Sequence, residues 1–362
     1  MSRPPGVAGG LDVVHALAAV ARNAHSDATR SRSLRGRTGM TLVSAAHPAD
    51  GAGHAIGEVS ATRSRTVCHT CDQRHGVSGG GCPGIPGRRR CPGGANGGAT
   101  VRIGLCQITS TPEPEQNLAL VRDAVRQAAD DGARVALFPE ATMACFGVPL
   151  RPLAEPLDGP WATAVREIAD EHGLVLAAGM FTPAGDRVRN TMLVTGRGQH
   201  VGYHKIHLYD AFGFTESKTV EAGSEPVTVT VDDVVLGVAT CYDVRFPELF
   251  RLLADRGAPI VLLGASWGAG PGKREQWELL VRARALDSTS WLVACGTADP
   301  TASGMDYVGT TPFGIGYSTV ADPYGRIHAQ LGPGPDVHVL DIDPKAVDEA
   351  RRTIPVLANR RL

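Results

Sequence analysis

The chain has 362 residues, enough for two domains on length alone, and its net charge of −1 describes neither part of it. Residues 1–100 carry twelve Arg against five acidic residues and no Lys, Phe, Trp or Tyr, whereas 101–362 carry 24 basic against 32 acidic residues. No run approaches the ~18 consecutive apolar residues of a transmembrane helix, so the sequence is read as crossing no membrane.

Residues 1–98 form a low-complexity, Arg/Gly-rich extension. It lacks the large side chains that offset an ordering entropy of roughly 1–2 kcal/mol per residue, and it is expected to be largely disordered. Leu11 to Ala24 has the pattern of one short amphipathic helix, but nothing obvious receives it. Leu11 to Val20 is too short for an anchor, and no clear small-residue cleavage site follows, which argues against a signal peptide. An over-extended start site is the leading explanation of this composition, and a regulatory tail is the alternative. Cys68, Cys71, Cys82 and Cys91 also suggest a small zinc module touching nucleic acid. The second pair is nine apart, however, and no aromatic is available to stack on bases. Gly93 to Gly98 reads as a flexible linker into a single domain over 99–362.

That domain opens with strand alternation from Val101 to Ile108. A helix follows Pro114, with Leu118, Val121, Val125 and Ala128 on one face and Gly132 at its end. Val135 to Phe138 is a buried-strand pattern running into Pro139 and Glu140. Pro160 to His172 is a second helix, Leu174 to Met180 a third strand, and Arg189 to Lys205 two strands about a Gly-rich turn. Val234 to Ala239 is an apolar run that stops at Cys241, before a helix over 246–255. Then come a strand Pro259 to Gly264, a helix from about Glu275 to Leu286, a strand Trp291 to Thr297, and a strand-rich stretch from Gly314 to Ile342. The alternation predicts an α/β fold with a mixed sheet.

Three strand ends thus present a carboxylate (Glu140), an ammonium (Lys205) and a thiol (Cys241), and parallel α/β sheets build sites at the carboxyl ends of their strands. A following helix N-terminus is expected to lower the Cys241 pKa. Each residue alone has a bland reading: a turn carboxylate, a surface lysine, a small buried hydrophobe. The widely spaced domain cysteines, Cys106, Cys145, Cys241 and Cys295, suggest reduced thiols in a cytoplasm rather than a disulfide framework.

Phe138-Pro139-Glu140, Lys205-Ile206-His207-Leu208-Tyr209-Asp210 and Cys241-Tyr242-Asp243-Val244-Arg245-Phe246-Pro247-Glu248 follow in order, at spacings of 65 and 36 residues between the three candidates. Together they resemble the signature segments of the nitrilase (carbon-nitrogen hydrolase) superfamily, in the amidase branch that includes ω-amidases and deaminated-glutathione amidases. The resemblance spans roughly residues 100 to 362. It implies a four-layer αββα sandwich of two mixed sheets, a homodimer, and hydrolysis of a small carboxylate-bearing amide to acid and ammonia through a Cys thioester, with no cofactor or metal. In this reading Cys241 is the nucleophile, Glu140 the proton carrier, and Lys205 with the Tyr242 N–H the oxyanion holder. Phe214-Thr215-Glu216-Ser217-Lys218 matches the segment of the family's second glutamate, so Glu216 would position the lysine.

Arg245 either binds a substrate carboxylate bidentately or pairs with Asp243 or Glu248. Tyr209, Trp267 and Phe146 either line the pocket or pack the core. Ala265-Ser266-Trp267-Gly268, and Trp277-Glu278 with Arg282-Ala283-Arg284-Ala285, also resemble family segments that shape the pocket. His204 and His207 flank Lys205 on alternate sides and are expected to make local hydrogen bonds. An N-carbamoyl substrate, an acyl acceptor other than water, or a catalytically dead scaffold are the competing readings of the domain. Nitriles fit less well, because the cysteine segment has amidase wording.

Overall fold

The computed structural model describes residues 100–305 and 313–361. The expectations of disorder over 1–98, the Leu11 to Ala24 helix, the Gly93 to Gly98 linker and the Cys68/Cys71/Cys82/Cys91 cluster lie outside the described residues.

Five strands and two helices come first: β1 Val101–Gln107, α1 Pro114–Asp130, β2 Val135–Leu137, α2 Pro160–Glu171, β3 Val175–Ala184, β4 Arg187–Gly196 and β5 Gln199–His204. The second set is β6 Val227–Val231, β7 Val234–Thr240, α3 Pro247–Asp255, β8 Ile260–Ala265, α4 Lys273–Ser288 and β9 Trp291–Gly296. The chain closes with β10 Thr319–Ala321, β11 Ile327–Gln330, β12 Asp336–Ile342 and α5 Ala346–Thr353.

One six-stranded sheet has the order β12-β1-β2-β3-β4-β5, the other β11-β10-β9-β8-β7-β6. In each, three parallel strands (β1-β2-β3 and β7-β8-β9) are flanked by antiparallel neighbours, so both sheets are mixed. Side chains on a strand alternate between faces, and the burial follows that period. From the first sheet, Ile103, Leu105, Val135, Leu137, Val175 and Ala177 join Leu236, Val238, Ile260, Leu262 and Val293 of the second in one core. The intervening residues Cys106, Ala136, Leu176 and Ala178 face Val121, Val125, Val165 and Ile168 of α1 and α2. Leu249, Phe250 and Leu253 of α3, with Trp277 and Val281 of α4, pack on the second sheet. The layers are helix, sheet, sheet, helix, the four-layer sandwich expected. Each fully buried Leu or Ile contributes about 1.5–3 kcal/mol, so the central layer dominates the driving force.

Three differences from the sequence reading have local causes. Strand β6 was not anticipated; it forms a hairpin with β7 through Asp232 and Asp233, both at positive φ (48° and 66°), as a two-residue turn of the primed type requires. Asp232 then takes ion pairs from Arg134 (2.9 Å) and Arg197 (2.7 Å), which join the hairpin tip to the first sheet. Strand β2 ends at Leu137 rather than running to Glu140, because Pro139 has no N–H for the ladder. Helix α5 was also unforeseen; it buries only Val347 and Ala350, too little apolar periodicity to stand out. Among the described residues no helix is long and apolar enough to cross a membrane.

Candidate active site

Beyond β2 the chain turns at Ala141, which adopts φ 54°. Glu140 is lowered between neighbouring strands because two of them carry glycine there. A Cβ on Gly179 of β3 would meet the Glu140 Cα at 2.8 Å, and one on Gly264 of β8 would meet the Phe138 carbonyl oxygen at 2.9 Å. Glu140 is 1% exposed and fully used as an acceptor. Its Oε1 accepts from Lys205 Nζ (2.8 Å) and Asn190 Nδ2 (2.7 Å), and its Oε2 from the Ser266 N–H (2.9 Å).

Lys205 follows β5 directly, 2% exposed. Its ammonium also donates to both oxygens of Glu216, at 3.2 and 2.9 Å. Burial works against the charge, but Glu140, Glu216 and Cys241 outweigh it and hold Lys205 well above the usual lysine range. Glu216 opens a 3₁₀ turn, Glu216–Lys218, and is tethered by the Tyr209 N–H (2.6 Å) and by Asn190 Nδ2 (3.2 Å).

Cys241 begins a 3₁₀ turn, Cys241–Arg245, at φ 48°, a left-handed conformation rare outside glycine. The expected acidifying helix N-terminus is corrected: the α-helix proper starts only at Pro247. Burial first, then the charge of Glu140, push the Cys241 thiol well above its ordinary value, with Lys205 pulling the other way. The Cys241 Sγ donates to the Ser266 carbonyl at 3.9 Å.

Two residues on, Asp243 is fully buried and anchors the turn. Its Oδ2 accepts from the Tyr203 hydroxyl (2.7 Å) and the Thr240 N–H (2.9 Å). Its Oδ1 accepts from the His207 N–H (3.0 Å) and contacts His207 Nδ1 (2.8 Å), while the His207 ring stacks on Phe246 at 3.7 Å. His204 meets Thr191 Oγ1 at 2.9 Å, so both histidines make the local contacts expected of them. Among the described residues no group of three or more His, Cys, Asp or Glu is arranged to hold a metal ion.

A cavity of about 550 Å³ opens over Cys241, Glu140, Lys205 and Glu216. Tyr209, Tyr242, Trp267 and Phe146 all line it. Phe146 also packs edge-on against Phe181 (5.7 Å), so wall and core roles coincide there. Arg245 is placed otherwise than either reading of it. It is not on the cavity wall, and it pairs with neither Asp243 nor Glu248. Its Nη2 donates to Gln276 Oε1 (2.7 Å), and its guanidinium lies 5.1 Å from the Trp267 ring. Asp243 is already saturated by its other donors, which leaves Arg245 no acid there.

Sequence reasoning missed Asn190, whose amide reaches both carboxylates, and Lys273, which lines the cavity. Asn190 sits between Arg189 and Thr191 in β4, a buried polar residue whose partner was the missing signal. Lys273 follows Gly270-Pro271-Gly272, a turn signal just after Trp267.

The carbon-nitrogen hydrolase family model matches residues 102–352. A hydrolase of Mycobacterium tuberculosis, Rv0480c, is 52% identical over 267 residues, covering 72% of this chain and 95% of its own length. The deaminated glutathione amidase of Escherichia coli O157:H7 is 32% identical over 262 residues, covering 70% of this chain and 95% of its own. Among solved structures, an amidase from Nesterenkonia sp. AN1 in complex with acrylamide superposes with a TM-score of 0.61 at 26% identity, over 74% of this chain and 97% of that one.

Proposed function

The chain belongs to the carbon-nitrogen hydrolase family, and from that premise we propose that it is an amidase converting a small carboxylate-bearing amide to acid and ammonia through a thioester on Cys241. The observation that carries this reading is that Cys241, Glu140 and Lys205, far apart in sequence, line one cavity with the acid and the ammonium in direct contact.

The roles follow from charge and hydrogen bonding. The thiol loses its proton as it attacks, and Glu140 is the carboxylate whose charge acts on it. As the Sγ–C bond forms, Glu140 takes that proton and the carbonyl oxygen becomes negative. Lys205, kept cationic by its two carboxylates, and the Tyr242 N–H stabilise this oxyanion. Loss of one such donor typically costs about 10²–10³ in rate. Glu140 then passes the proton to the nitrogen, the C–N bond breaks, and ammonia leaves. Water enters, gives a proton to Glu140, and forms the C–O bond; the thiolate departs and regains its proton. Glu216 and Asn190 hold the ammonium and Glu140 in place. Residues 99–362 form the hydrolase domain in this reading. In this reading two copies pair as a homodimer, and Leu252, Leu279 and Leu286 are large apolar side chains left exposed on α3 and α4.

The test is ammonia release by the purified protein from α-ketoglutaramate, deaminated glutathione and aliphatic amides, with acid quenching to trap an acylated Cys241 peptide by mass. Acid and ammonia without CO₂ are expected. Turnover retained by Cys241→Ala would overturn the assignment.

A further inference from the structure

The cavity wall carries a cation that the reaction steps leave unused. Lys273, the first residue of α4, is half-buried, and among the described residues it has no ion pair. Its Nζ donates to the Tyr209 hydroxyl (3.2 Å) and sits 3.6 Å over the Phe212 ring. The other basic groups near the cavity are held by buried carboxylates, exposed to solvent, or off its wall. Lys205 is held by Glu140 and Glu216, Arg151 pairs with Asp186 (3.4 Å), Lys218 is exposed, and Arg245 is off the wall. Burial and the neighbouring Arg245 charge both lower the Lys273 pKa, as for an ammonium without a counter-ion.

We infer that Lys273, with the Tyr209 hydroxyl beside it, receives a carboxylate carried by the substrate at the end remote from its amide, and so sets a preference for anionic over neutral amides. This rests on the amidase reading and adds the residue that selects the substrate class. Geometry supports it twice over. The Lys273 carbonyl accepts the Trp267 indole N–H (2.8 Å), so the main chain fixes where the side chain starts. Aromatic faces of Tyr209, Phe212 and Trp267 lie 5.5, 3.6 and 5.8 Å from the ammonium, cation–π contacts that hold it on the cavity wall.

The experiment compares succinamate with pentanamide, whose ethyl end replaces the carboxylate. In the wild-type full chain, kcat/KM is expected to favour succinamate by about tenfold or more. Lys273→Met and Lys273→Gln, each checked for native circular dichroism, are expected to reduce that ratio about tenfold, and Lys273→Arg to keep part of it. A ratio that does not move in either neutral variant overturns the inference. Calorimetry of succinamate binding to Cys241→Ala, with and without Lys273→Met, reads the same contact without turnover. Should the wild type hydrolyse neither amide, the amidase reading is decided on its own substrate panel, and here binding alone decides. Succinamate binding weakened about tenfold by Lys273→Met upholds the carboxylate site; binding that is unchanged, or absent from the outset, ends it.

Discussion

Lys205 Nζ lies 2.8 Å from Glu140 Oε1, with side chains 2% and 1% exposed. Two charges taken so completely out of water are stable only as a set, since either one alone keeps its full desolvation penalty.

Lys205→Met should therefore cost more than a lost contact. It strands Glu140 and Glu216 against each other, and equilibrium urea unfolding should report a loss of about 3–5 kcal/mol. Lys205→Met/Glu216→Gln should recover part of it. The pH sign is fixed by the raised Lys205 pKa. Its stabilisation is fully present below the unfolded value of about 10.4 and lost only as pH rises through the higher folded value, so the difference from wild type should stay flat from about pH 7 to 9.

Gly179→Ala should act on rate through Glu140. The added Cβ would meet the Ala141 nitrogen at 2.5 Å and the Glu140 Cα at 2.8 Å, both backbone atoms that cannot swing aside. Displacing Glu140, the proposed proton carrier, by about an ångström is expected to lower kcat about 10²-fold with KM little changed, as steady-state kinetics would show.

Tyr203→Phe tests the anchor under the nucleophile. The phenol, held neutral by burial and by the Asp243 charge, donates to Asp243 Oδ2 at 2.7 Å. Removing it leaves a buried carboxylate one donor short, and thermal denaturation should show a loss of about 1–3 kcal/mol. Because Asp243 fixes the Cys241 turn, kcat should fall as well.

Iodoacetamide reads the thiols directly. Among Cys106, Cys145, Cys241 and Cys295, peptide mapping of the native protein should find Cys241 modified, since it alone lines the cavity. Burial raises the Cys106 and Cys295 thiols, the latter to about 12, and they should react only on unfolding. The Cys241 rate should climb only in the alkaline range, and Glu140→Gln should move that climb to lower pH, because it removes a charge that disfavours the thiolate.

Much of this was legible because strands and catalytic candidates share a local code. Apolar runs before Glu140 and Cys241, with the strand-like segment before Lys205, mark strand ends, and Gly132 and Gly173 mark where α1 and α2 stop. What stayed hidden depends on partners. Asn190 looks like any strand residue until β5 and the Glu216 turn bring two carboxylates to its amide. Arg245 sits in a recognisable segment, yet its partner Gln276 lies on another helix and only packing pairs them. The Asp232–Asp233 turn lacks the glycine that usually announces a hairpin, so β6 passed unseen. Acidity at Cys241 was misjudged because a 3₁₀ segment separates it from the helix, which starts where expected, and because near-complete burial raises the thiol.

Glu140 and Glu216 both bear on the single ammonium of Lys205. The floor beneath the sulfur thus sets two carboxylates against one ammonium, and the proton transfer proposed from sulfur to Glu140 and onward leaves that balance unchanged. A freshly formed carboxylate adds another negative charge beside them, in surroundings where repulsion is far stronger than in bulk water. In the proposed reaction, departure of the acid is thus favoured by the same pair of glutamates that holds Lys205 in place, and simple carboxylic acids should be weak inhibitors at this end of the cavity.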